Sequence, residues 1–197
     1  MKKLLLLFIL NVVALSCLAQ GLESASKKIS KLKKSKVDTI VSVYRYSSSM
    51  TMPTEKGKDC FLTSSQMLFW TKDGEYFKQA FDNCNDYKEK KIDSTIFIKF
   101  VRDSIKILKT AEILPVKCVF RDMAGIAHYQ KNNAPKHSKF TDITIYTGSI
   151  TLLKKIDHYN IITENCDAEY LNDNWETNNA NILKLLFDEA DREFRDK

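Results

Sequence analysis

The chain predicts an α+β fold: a largely antiparallel sheet with two amphipathic helices packed on one face. Three observations carry this. Strand-like runs follow one another with turn residues between them. Two other stretches carry apolar residues at helical spacing. Strands and helices are segregated along the chain and do not alternate, which is the pattern of α+β proteins and not of a parallel α/β sheet.

The start of the chain reads as an export signal. Lys2 and Lys3 give a positive beginning, Leu4 to Leu15 is apolar except for Asn11, and small residues follow. Two cuts compete. Cys17-Leu18-Ala19 is a small-x-small site with cleavage before Gln20, and Ala14-Leu15-Ser16-Cys17 resembles a bacterial lipobox, in which Cys17 would be acylated. The expected divisions are a cleaved signal over 1–19, a basic and poorly ordered leader over 20–36, and one α+β domain over 37–197. The leader, "LESASKKISKLKKSK", holds Lys27, Lys28, Lys31, Lys33, Lys34 and Lys36. It reads as a solvated stretch, or as a basic arm touching anionic lipid or polymer. The net charge is +6, with Lys2 and Lys3 supplying two and this arm most of the rest. The folded part is then near neutral, which argues against a dedicated nucleic-acid binder.

"VDTIVSVYRY" (37–46) alternates and predicts a half-buried strand. "QMLFWTKDGEYFKQAF" (66–81) has strand-like flanks around Asp73-Gly74, the strongest short hairpin signal, although Tyr76, Phe77, Ala80 and Phe81 also fit helical spacing. "DSTIFIKFVRDSIKILKT" predicts a helix over 93–109, with Asp93 or Ser94 as cap. Phe97, Phe100, Val101, Ile105 and Leu108 form its stripe, and Lys99, Arg102, Asp103 and Lys106 lie opposite. "LPVKCVFRD" and "GIAHYQ" predict a second hairpin. "FTDITIYTGSITLLKKI" reads as strand broken at Gly148 by a bulge or turn, and "HYNIIT" as an edge strand. The last helix carries Ile182, Leu183, Leu186, Phe187, Ala190 and Phe194 on one stripe.

Export places the protein in an oxidising compartment, the periplasm or cell envelope. With Cys17 removed or capped, Cys60, Cys84, Cys118 and Cys166 remain as disulfide candidates. Of three connectivities, proximity favours Cys60–Cys84 and Cys118–Cys166.

Motifs for chemistry are sparse. His128, His137 and His158 show no helical metal spacing, and no CxxC pair exists, so neither a metal nor another cofactor is expected. "DNCND" (82–86) and "NDNWETNNAN" (172–181) offer calcium-type ligands without EF-hand spacing, and read as turn and cap residues. Phe69, Trp70, Tyr76, Phe77 and Phe81 read as a core wall before a binding face. "GKDCFLT" resembles the Asp-Cys nucleophile turn of NlpC/P60-type cell-wall peptidases, and "DITIYTGS" resembles their histidine strand. That resemblance implies Cys60 as nucleophile. Phe61-Leu62 stand where the family has Ser-Gly, and Asp142 holds the histidine's place, with His137 five residues earlier.

The functional expectation is therefore an exported, non-catalytic envelope protein that binds another envelope protein or a small ligand, with no nucleic acid. It would meet the membrane only through an N-terminal lipid. Lys99, Arg102 and Lys106 form the candidate binding surface. The alternatives are a cysteine hydrolase acting on cell-wall or peptide substrate, and a small-ligand carrier.

Overall fold

The structure, a computed structural model, describes residues 20–47, 52, 53, 61, 62, 64–82, 85, 87–92, 96–130, 138–148, 150–167 and 170–195. Cys17, Cys60, Cys84, Asp93, Ser94 and His137, and most of "DNCND", lie outside them.

The fold is α+β, as the sequence predicts. In chain order the elements are α1 (Gln20–Lys34), β1 (Thr39–Ser47), β2 (Met52–Pro53), β3 (Phe61–Leu62), β4 (Ser64–Lys72), β5 (Glu75–Asp82), β6 (Lys90–Ile92) and α2 (Ile96–Thr110). Next come β7 (Cys118–Arg121), β8 (Ala127–Gln130), β9 (Lys139–Thr147), β10 (Ile150–Asp157), α3 (His158–Ile162), β11 (Leu171–Asn172), α4 (Trp175–Asn179) and α5 (Ile182–Arg195). Among the described residues the main sheet has order β10-β9-β1-β4-β5-β6, every neighbour antiparallel. A smaller sheet runs β11-β7-β8, and β2 pairs β3.

The Asp73-Gly74 hairpin forms as read. Lys72 pairs Glu75, and Asp73 and Gly74 both have positive φ, 52° and 77°. Two left-handed residues give the turn whose twist matches the strands, and glycine adopts that conformation at little steric cost. Gly148, at φ 53°, turns β9 into β10, with Thr147 paired to Ile150. The β7–β8 hairpin also forms.

Helices α2 and α5 cover one face. Phe97, Val101 and Leu108 of α2 and Leu183, Leu186 and Ala190 of α5 are buried against Val41, Val43, Met67, Phe69, Ile143 and Ile145. The α5 stripe is the one read from sequence, and Asn181 caps it by accepting from the Leu183 amide at 2.9 Å. On α2 Phe97, Ile98, Val101 and Leu108 are fully buried, while Phe100 and Ile105 are half-buried.

Two expectations are corrected. Residues 20–36 are not a poorly ordered leader. Ala25, Ile29 and Leu32, spaced i, i+4, i+7, lay α1 on the opposite sheet face against Ile40, Leu68, Trp70 and Phe81. The helix stops where Lys36 turns left-handed (φ 54°). The Val37 amide reaches Leu32 O at 3.3 Å and the Lys36 amide reaches Lys33 O at 3.1 Å, the paired bonds of a Schellman end. Because α1 covers this face, β1 is buried on both sides over residues 39–43 and is not half-buried. Trp70 and Phe81 are core accordingly. The second correction concerns "HYNIIT". It is helix α3 and not an edge strand, because Asp157 ends β10 and accepts from the Tyr159 amide at 3.0 Å as an N-cap.

Candidate binding cleft

Between α2 and β7 the chain runs through residues 111–117 with neither helix nor strand partner. Its backbone groups are met by asparagine side chains. Asn178, fully buried, accepts from Leu114 N and donates back to Leu114 O, both at 2.8 Å, and donates to Asn160 O at 2.9 Å. Asn181 donates to Glu112 O, Asn174 to Pro115 O, and Asn160 accepts from Val116 N. Buried Asn172 accepts from Lys117 N and donates to Thr163 O. A carboxamide carries a donor and an acceptor in a plane, as a peptide does, so it can replace the missing strand.

This clamp sets β7 beside β11 and α4. The Cys118–Cys166 disulfide joins β7 to the segment that leads into β11, with a Cα–Cα distance of 5.8 Å. It is one of the pairs favoured by sequence proximity. Between these elements opens a cleft of about 460 Å³, walled by Phe120, Arg121, Glu164, Asp173, Trp175 and Glu176 among others. Phe120 is held by the Tyr170 ring, 5.9 Å away, and the His128 ring, 6.0 Å away. Asp173 is committed to Lys117 at 3.2 Å and Arg121 at 3.4 Å. The carboxylates of Glu164 and Glu176 make no ion pair or hydrogen bond among the described residues. The cleft thus offers two aromatic rings beside two uncompensated negative charges.

A second, shallower cleft of about 360 Å³ lies at the end of the main sheet. Arg45 reaches Asp191 at 2.9 Å and lies over the Phe194 ring at 4.1 Å. His158 Nε2 shares a 2.7 Å hydrogen bond with the Thr141 hydroxyl, and its ring meets Phe187 edge-on at 4.7 Å. Burial, then the Arg45 and Lys139 charges, push the His158 pKa down to about 4 against the pull of Asp191. On the α1 side of this edge Tyr44, Tyr46 and Phe140 stack at 5.0 and 5.3 Å. Asp142, in the place of a peptidase histidine, lies 3.5 Å from the Tyr46 hydroxyl. Burial pushes its carboxyl up, opposed by Lys155 and the Tyr46 hydrogen bond.

Lys99, Arg102 and Lys106 are exposed on the outer side of α2 and line neither cleft. His128 bonds Asp122 at 3.1 Å, and among the described residues no three His, Cys, Asp or Glu side chains gather to hold a metal. The sequence reading missed Glu164, Trp175, Glu176 and Phe120. The available signal was Trp175-Glu176 inside the polar run 172–181, an aromatic where turn residues alone need none. No protein-family model, curated protein or solved structure matches this chain.

Proposed function

We propose that this is an exported cell-envelope binding protein, non-catalytic, whose cleft between the small sheet and α4 receives a cationic side chain of a partner polypeptide. The observation that carries the reading is the wall chemistry: Glu164 and Glu176 uncommitted, with Trp175 and Phe120 beside them. A guanidinium or ammonium group gains from carboxylate contact and from lying over an aromatic face, and its aliphatic stem covers the ring. The disulfide and the asparagine clamp hold the walls before the partner arrives, which lowers the ordering cost of binding.

Trp175 provides the readout, since the other tryptophan, Trp70, is buried in the core. Titration with a peptide bearing one arginine is expected to change tryptophan fluorescence saturably, and Trp175→Phe is expected to abolish the change. The double variant Glu164→Gln, Glu176→Gln is expected to weaken binding at least about tenfold, the scale of charge-assisted hydrogen bonds. A wild-type signal that does not saturate, or one indifferent to the double variant, would defeat the reading.

A further inference from the structure

The side of α1 away from the sheet is a surface of lysines held in fixed positions. Lys27, Lys31 and Lys34 are exposed at i, i+4 and i+7, and exposed Lys36 follows at the helix end. Two further lysines flank the stripe and are committed to the fold. Lys28 pairs with Glu89 at 2.6 Å and lies 4.7 Å over Trp70, and Lys33 lies 3.7 Å over Tyr146. Opposing charge is sparse, because residues 23–38 contain Glu23, which pairs with Lys27, and Asp38. Had this stretch been a loose tether, its charges would be spread over many conformations. Packing of Ala25, Ile29 and Leu32 instead fixes their backbone on one face, so docking carries no backbone ordering cost.

We propose that this lysine face of α1 docks on an anionic phospholipid bilayer. Charge complementarity is the first argument. A basic residue near an anionic leaflet contributes about 1 kcal/mol, roughly fivefold in partition per lysine. Position in the chain is the second. The helix begins at Gln20, directly after the apolar export segment. Were Cys17 acylated, only Leu18 and Ala19 would separate it from α1, a reach of about 7–10 Å. This docking does not depend on the cleft assignment, and its test leaves the cleft untouched.

The chain from Gln20 onward, which contains every described element, is mixed with vesicles of phosphatidylglycerol and phosphatidylcholine, or of phosphatidylcholine alone, and sedimented. The wild type is expected to pellet with the anionic vesicles alone and to release in about 0.5 M salt. Lys31→Glu with Lys34→Glu is expected to lower partition at least about 25-fold, two fivefold steps. Lys99→Glu with Lys106→Glu changes net charge equally on α2 and is expected to stay within about threefold. Circular dichroism and melting check the fold of each variant. Lys31→Gln with Lys34→Gln replaces the first pair if that pair unfolds. Equal losses from the two faces would reduce the effect to net charge and overturn the proposal. So would failure of the wild type to bind anionic vesicles, including the case where it binds a soluble polyanion instead.

Discussion

Replacing Asn178 by Asp changes one atom and tests the clamp on residues 111–117. Asn178 is fully buried, and its amide nitrogen donates to Leu114 O at 2.8 Å and Asn160 O at 2.9 Å. In the Asp variant one oxygen still accepts from Leu114 N, while the other faces two carbonyl oxygens. Two donor bonds are lost at about 1–3 kcal/mol each for buried groups, and a buried carboxylate has no compensating charge. The expected loss at pH 7 is about 3–5 kcal/mol. Desolvation and the carbonyls raise the folded pKa of the new carboxyl above the unfolded value of about 3.9. The penalty is therefore full above the folded pKa and fades as pH falls toward the unfolded one. Protonation restores one donor, so the deficit relative to wild type is expected to shrink by about 1–2 kcal/mol between pH 7 and pH 4.5. Urea denaturation of both proteins at each pH measures it. A deficit below about 1 kcal/mol at pH 7, or one unchanged at pH 4.5, would refute the role given to this side chain.

Phe97→Ala is expected to cost about 3–5 kcal/mol, since its ring is buried 4.9 Å from Phe69, whereas Lys99→Ala is expected to stay within about 0.5 kcal/mol; equal denaturation midpoints would remove α2 from the core. Replacing Cys118 and Cys166 by Ala opens a bridge with a sequence separation of 48, worth about 4 kcal/mol by chain entropy, and a thermal melt reads the loss. His158, whose folded pKa is about 4, stays neutral in the fold, while the unfolded chain binds a proton below about 6.5. Stability is then lost as pH falls from about 6.5 to 4. The half-exposed ring limits the loss to about 1–2 kcal/mol, and His158→Gln is expected to flatten that part of the pH profile.

The elements legible in the sequence are those specified by residues near one another. Asp73-Gly74 encodes its own turn, and the α5 stripe encodes its buried side. Helix α1 escaped because five lysines mask three apolar positions, and because its stop uses Lys36 in a conformation usually given to glycine. The "HYNIIT" segment is β-branched enough to read as strand, and the decision belongs to Asp157 just before it. The cleft was illegible for a different reason. Its asparagines read as turn and cap residues, a role Asn181 fills at α5, yet Asn178 serves Leu114, 64 positions away, and periodicity carries no information at that separation. The disulfide was legible in part, since proximity favoured Cys118 with Cys166, while Cys60 and Cys84 lie outside the described residues.

The position of β1 in the main sheet constrains the order of events as the chain is synthesised. Its partner on one side, β4, follows within a short stretch, but β9 pairs Val41 with Ile145, about 100 residues later. At a synthesis rate of about 5–20 residues per second, β1 waits about 5–20 s with one edge unpaired. During that interval Ile40, Val41 and Val43 form an apolar strand edge open to other chains. Yield of folded protein is thus set by a race between delivery of the β9–β10 hairpin and capture of that edge by another chain. The Cys118–Cys166 loop contains the entire hairpin, so once the bridge is closed β9 and β10 stay tethered to β7 as one unit.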